Sequence, residues 1–269
     1  MKKILALVLA LIMVMGLVAC GDTNPTDPAP TDPAPTDPAP TDPAPTDPAP
    51  TDPAPTDPAP TDPAVTVMTH EEYMAAELNS EVVVEFYVQA TQSWWDNQIV
   101  VYGQDENGGY LAYNMACSEE DAAKLVPGTK IRVTGYKAEW SGEVEIDAGA
   151  TFEFVEAEPW IAEALDVTAL LGTDELIAHQ NEKVAFKGLT IEKVEYKNGE
   201  PGYGNDIYVT VGYNGASYDF CVEAYLTDPD TDVYKDVGAL NVGDIVDIEG
   251  FLYWYNGVNT HITAVTPAA

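Results

Sequence analysis

Leu125-Val-Pro-Gly128-Thr-Lys-Ile131-Arg-Val133-Thr-Gly135-Tyr136 returns 115 residues later as Leu240-Asn-Val-Gly243-Asp-Ile-Val246-Asp-Ile248-Glu-Gly250-Phe251. Each copy reads Leu, two residues, Gly, then apolar residues at every second position up to a Gly and an aromatic. That alternation marks a strand with one buried face. A spacing of 115 residues is too long for a solenoid repeat and suits two domains of about 100 residues each.

The flanks repeat in the same order. Ahead of the first copy, Val82 to Val88 reads as a strand and Gln98 to Tyr102 as another. Tyr110 to Met115 is a third strand, after the Asn107-Gly108-Gly109 turn. Ser118 then caps a short helix running to Leu125, with acids in its first turn and Lys124 near its end. Trp140-Ser141-Gly142 turns the fourth strand into a fifth, Glu143 to Ile146. The second copy has strands near Lys183 to Val194, Asp206 to Tyr213, Ser217 to Val222, Ile245 to Tyr253 and Val258 to Val265. Thr69-His70-Glu71-Glu72 matches a capping box opening a helix through Leu78. Asp166 to Leu171 or Asp174 to His179 is the corresponding lead-in to the second unit.

Three strands, a short helix and two strands is the order of the OB-fold, a five-stranded Greek-key barrel. The repeated pattern resembles the fourth strand of OB domains in bacterial exported and nuclease-associated proteins. Ser93 to Asn97, Cys117 to Ala123 and Gly135 to Trp140 resemble segments of surface lipoproteins of gut Firmicutes, a family with no activity to carry over. The expected fold is all-β: two tandem five-stranded OB-like barrels with short helices. The expected units are 65–158 and 159–269, meeting near Glu158-Pro159 and preceded by a leader (1–19) and a linker (20–64).

Lys2 and Lys3 precede an uncharged run from Ile4 to Ala19, the layout of an export signal. Sixteen apolar residues are short for a bilayer span, which needs about 20. Leu17-Val18-Ala19-Cys20 resembles a lipobox, which implies cleavage before Cys20, acylation of its thiol, and a place on the outer face of the cell membrane. Seven Thr-Asp-Pro-Ala-Pro repeats between Thr26 and Pro60 follow. Their composition cannot bury enough apolar surface to offset ordering entropy and favours polyproline II, with a reach on the order of 120 Å over 39 residues. An O-glycosylated stalk is the alternative reading of the same Thr-Pro composition.

Nine of the 45 acidic residues and two of the 11 basic ones precede Val65, leaving 36 against 9, a net charge near −27. Such a surface repels phosphate backbones, so no nucleic-acid partner is expected. Cys117 and Cys221 fall in different units and read as free, buried thiols rather than a disulfide.

Catalytic constellations are not legible. The three histidines, His70, His179 and His261, fall in different elements, His70 facing solvent beside a cap. No His-Glu-x-x-His, Gly-x-Ser-x-Gly or phosphate-cradling glycine loop occurs. Asp228-Pro-Asp230-Thr-Asp232 starts like a calcium loop, yet Val233 stands where an EF-hand needs glycine and Ala239 where it needs glutamate. No cofactor is expected, with calcium at this loop the one alternative.

OB barrels bind across strands 2 and 3 and the loops between strands 1 and 2 and strands 4 and 5. Those places hold Trp94, Trp95, Tyr136 and Trp140 in the first unit, and Tyr196, Tyr203, Tyr253, Trp254 and Tyr255 in the second. Adjacent Trp94 and Trp95 point to opposite sides, so one of them is left outside the core. The sequence reading is a lipid-anchored surface protein whose two non-catalytic modules recognise a glycan or a protein. A structural or accessory role in a surface complex, with the rings buried between barrels, is the alternative. An extracellular hydrolase with unrecognised acids is a third.

Overall fold

In a computed structural model of the chain, residues 66–268 are described. The leader, Cys20 and the proline-rich repeat lie outside them.

The repeated segment performs the same task twice. Gly128 and Gly243 have φ of +92° and +95°, a conformation open to glycine and strained for other residues. The Gly128 N–H donates to Val88 O, and the Val88 N–H returns to Thr129 O, each at 2.8 Å. In the second copy the Gly243 N–H donates to Ile191 O and the Ile191 N–H to Asp244 O, again at 2.8 Å. These paired bonds fix where strand 4 begins against strand 1. Beyond them, Ile131 and Val133, and Val246 and Ile248, are buried. The closing glycines allow close approach. A Cβ on Gly135 would lie 2.6 Å from Ile146 Cγ2, and one on Gly250 would lie 2.3 Å from His261 O.

The first barrel comprises β1 (Glu81–Thr91), β2 (Gln98–Gln104), β3 (Gly109–Ala116), β4 (Lys130–Trp140) and β5 (Glu143–Ile146). They hydrogen-bond in the order β1-β2-β3-β5-β4, and β4 returns to β1 to close the sheet. β6 (Thr151–Phe154) and β7 (Leu165–Asp166) are extra edge strands on β4 and β8. β8 (Lys183–Tyr196), β9 (Ile207–Tyr213), β10 (Ala216–Val222), β11 (Ile245–Phe251) and β12 (His261–Pro267) repeat the order as β8-β9-β10-β12-β11, closed by β11–β8. In each barrel one parallel contact, β3–β5 or β10–β12, completes the ring of otherwise antiparallel strands. Phe86, Tyr110, Ile131 and Met115 fill one core; Phe186, Phe220, Leu189 and Ile248 fill the other.

Three short helices are capped as their sequences require. Thr69 and Glu72 form both bonds of a capping box on α1 (His70–Ala75), Ser118 caps α2 (Glu119–Ala122), and Thr231 caps α3 (Asp232–Gly238). α1 stops at Ala75 rather than Leu78, because the buried Lys137 ammonium takes the carbonyls of Met74 and Ala76 at 2.6 and 2.9 Å. α2 likewise ends at Ala122, short of Leu125. β6 and β7 were not expected, and the lead-in to the second barrel is two 3-10 turns, Thr168–Leu170 and Leu176–His179. β11 ends at Phe251 and β12 begins at His261, so Tyr253, Trp254 and Val258 belong to a loop rather than to strands.

The barrels meet along a joint. Val100, Tyr102 and Leu111 on the β2–β3 face form a shared cluster with Phe251. Tyr102 stacks on Phe251 with ring centroids 4.7 Å apart, and its hydroxyl lies 2.7 Å from His261 Nδ1. Beside this patch, side-chain amides continue the sheet pairing: Gln180 bonds Gly142 O and Val144 N–H, and Asn181 donates to Val144 O. These bonds satisfy β5 backbone groups that no strand reaches.

Candidate binding cleft

Between the barrels lies an open cleft of about 480 Å³, within the range of small-molecule sites. Its floor is Ser93-Trp94-Trp95 and the start of β2. Asp96 and Asn97 both have positive φ, and Trp95 and Gln98 exchange two backbone hydrogen bonds at 3.0 Å. This is a two-residue hairpin of the primed type. It turns Trp94 inward, where its Nε1 donates to Cys117 O at 2.9 Å, and leaves Trp95 68% exposed. A bulge in β3 brings Asn114, at φ +43°, to the cleft opposite the Ile99–Val101 register shift.

The second barrel supplies the facing wall. Tyr203 comes from its β8–β9 connection and Tyr225 from the segment after β10, their rings 5.9 Å apart and nearly perpendicular. Glu223 holds the Tyr225 turn by accepting the N–H groups of Tyr225 and Leu226 at 2.9 and 2.7 Å. Burial outweighs those two bonds and pushes its carboxyl up to about 7. The walls are seamed by the Ser93 N–H, which donates to Tyr225 O at 2.8 Å. Gln92, Gln98 and Asn114 complete the lining, which contains no charged side chain. Glu119 and Asp228 line an adjoining hollow beyond Trp94.

Of the ring-bearing candidates from the sequence, the cleft unites Trp94 and Trp95 with Tyr203 and leaves the others elsewhere. Tyr136, Trp140 and Tyr255 are exposed outside it. Trp254 is half-buried against Gly142, where a Cβ would come within 2.8 Å of its ring. Tyr253 stacks on the buried His261 at 4.3 Å, a joint contact rather than an open face. Tyr225, Gln98 and Asn114 were missed; only the bulge-prone, turn-prone asparagine carried a local signal. His70 does not face solvent as expected: it packs edge-on against Tyr110 at 5.1 Å.

The Asp228–Asp232 segment is a turn leading into a helix. Asp228 Oδ1 accepts the Asp230 N–H at 2.8 Å, Thr231 caps α3, and Asp232 occupies its first turn. The aspartates therefore build a turn and a helix start, and no group of three or more His, Cys, Asp or Glu side chains converges among the described residues. Cys117 and Cys221 are free and buried, and burial raises both thiols, Cys117 to about 11.

No protein-family profile matches the chain, and no curated protein does. Solved structures do. A murine DNA-binding protein bound to double-stranded DNA is 12% identical over 70% of this chain and 96% of its own, with a TM-score of 0.34. The p204 HINb domain is 11% identical over 72% and 99%, at 0.34. A replication protein A heterotrimer bound to single-stranded DNA is 10% identical over 69% of this chain and 49% of its own, at 0.29. Two expectations are corrected against these structures: that the ligand is a glycan or a protein, and that nucleic acid is not a partner. Two of these three structures, the murine protein and the replication protein A heterotrimer, are described with DNA bound.

Proposed function

We propose that the chain is a non-catalytic binding module, built as tandem OB-like barrels, whose cleft takes a flat, uncharged heterocycle of the nucleobase class. One observation carries this reading: four aromatic side chains and three amides converge with no charged group, in a globular part whose net charge is near −27. A ring stacked on Trp95 or Tyr203 gains from any flat π-face, and the amides of Gln92, Gln98 and Asn114 can donate to and accept from its polar edge. A free nucleoside and a single strand both present such a base, and the two differ in the phosphates they bring to an acidic surface.

Calorimetric titration with adenosine, cytidine and a 12-nucleotide single strand tests the reading. Saturable binding is expected, weakened roughly 5- to 150-fold by Trp95→Ala, as about 1–3 kcal/mol of stacking per base implies. If the single strand is a ligand, its affinity should rise with salt, opposite to the usual slope, because salt here screens repulsion. Absence of binding by every base-bearing ligand, or indifference to Trp95→Ala, overturns the proposal.

The module is proposed to stand on the outer cell surface, held by an acylated Cys20 at the foot of the proline-rich spacer, in the manner of the lipoproteins it resembles. The support is the leader, the Leu-Val-Ala-Cys segment and the repeat. Cys20→Ser should abolish membrane retention; unchanged retention refutes the anchor.

A further inference from the structure

Glu143 opens β5 at the centre of the joint and is fully buried. Its Oε2 accepts the Trp254 N–H from the other barrel at 2.7 Å, while its Oε1 has no partner. The groups that face it are acids and phenols: Glu145 on its own strand, Tyr73 on α1, and Tyr253 in the loop after β11. Tyr113 on β3 and Tyr255 lie next to Tyr253. The nearest cation on β4, Lys137, is turned to the α1 carbonyls. His261, behind Tyr253, is kept neutral by burial, and on the facing turn His179 is paired with Glu182. A carboxylate here would have the Trp254 N–H and the neighbouring Asn181 amide but no counter-charge, an arrangement that is costly in a buried site.

We propose that Glu143 makes the joint a protonation-dependent latch on the cleft, closed with the carboxyl neutral and loosened when it ionises. As regulation of the cleft, this rests on the binding reading above; as a property of the joint, it stands on the geometry. The cleft's floor comes from one barrel and its Tyr203–Tyr225 wall from the other, so any loosening of the joint changes their separation. Burial, opposed by the Trp254 N–H and the Asn181 amide and reinforced by Glu145, pushes the Glu143 carboxyl up to about 8. A carboxyl raised on folding stabilises the closed joint at low pH, and this contribution is lost as pH rises from about 4.5 through about 8.

The test compares wild type with Glu143→Gln, which keeps the shape and the acceptor for Trp254 but cannot ionise. The exchange rate of the Trp254 amide in wild type, divided by that in the variant, should rise roughly ten-fold per pH unit between about pH 5 and pH 8. Adenosine affinity in wild type, divided by that in the variant, should fall over the same range; Glu223, whose carboxyl is pushed up to about 7 behind the Tyr225 wall, titrates in both proteins and cancels. Parallel exchange profiles overturn the latch, as does an affinity ratio that does not change with pH. If the variant does not fold, the Val133 amide in the first barrel's core replaces it as the reference within wild type. An exchange signature without adenosine binding removes the cleft reading and leaves the latch in the joint.

Discussion

Replacing Trp94 and Trp95 one at a time separates structure from binding within a single dipeptide. The Trp94 ring packs on the first core and its Nε1 donates to Cys117 O at 2.9 Å. Trp94→Ala removes the buried part of a large ring and orphans that carbonyl. Full burial of a tryptophan would put the loss at about 3–5 kcal/mol; half-burial and one hydrogen bond bring it to roughly 2–4 kcal/mol. Trp95 is 68% exposed and makes only backbone hydrogen bonds at its turn, so Trp95→Ala should change stability by about 0.5 kcal/mol or less. Urea unfolding followed by far-ultraviolet circular dichroism measures both, since neither variant needs tryptophan emission as the probe. Calorimetry with adenosine then gives the binding side, where the order reverses: Trp95→Ala loses the stacking surface. Equal destabilisation by the two variants would refute the inward and outward assignment. Destabilisation by Trp95→Ala alone would invert it.

Gly128→Ala and Gly243→Ala should each cost about 1–2 kcal/mol from positive φ alone. Gly128→Ala should cost more, because its Cβ would sit 3.1 Å from Pro159 whereas the one on Gly243 meets open space. Negligible losses in chemical denaturation would contradict the shared role of the two glycines, and equal losses would contradict the Pro159 contact. Burial depresses His261 to about 4, so the unfolded chain binds its proton first as pH falls below about 6.5. Wild type should lose on the order of 3 kcal/mol between about pH 6.5 and pH 4 from this group relative to His261→Gln. A variant with the same acid profile would show that the histidine is not the cause. Neither Cys117 nor Cys221 should react with an aromatic disulfide reagent until the chain unfolds; rapid labelling in the native state would contradict their burial.

Local signals read the barrels well. The alternation in Val82 to Val88 and in the two Leu-x-x-Gly segments reports which face is buried, and that face exists because a strand's side chains alternate whatever the rest of the chain does. Thr69-His70-Glu71-Glu72 was equally local, and both bonds of its capping box are present. The Trp94-Trp95 pair was legible for the same reason, since two neighbours on an extended chain cannot share a side. The joint was not legible. Tyr253 and Trp254 have the composition of an exposed binding loop, yet Trp254 is covered by contacts more than 100 residues away, with Glu143 and Gly142, and Tyr253 by its stack on His261. Tyr225 and Gln98 were missed because they become cleft residues through the meeting of the barrels, and no local pattern encodes that meeting. The alternating aspartates of 228–232 were ambiguous in sequence because such carboxylates serve a turn and a helix start as well as they serve a cation.

The two copies diverge where an OB barrel usually binds. On the first, Val100, Tyr102 and Leu111 of the β2–β3 pair are buried against Phe251, so part of the expected binding face is occupied by the second barrel. The equivalent β9–β10 face carries the exposed Tyr208 and a Thr210–Asp219 hydrogen bond at its surface, which suits water rather than a neighbour. Under the proposed binding role the two copies would share one composite site instead of two identical ones: the first barrel contributes what remains of its face, and the second contributes Tyr203 and Tyr225 as the opposing wall. Residues 66–158 on their own would expose the apolar joint patch and lose half the aromatic cleft. The joint that covers the patch is also the feature that orients the Tyr203–Tyr225 wall, so a group buried in it is placed to act on the cleft without touching a ligand.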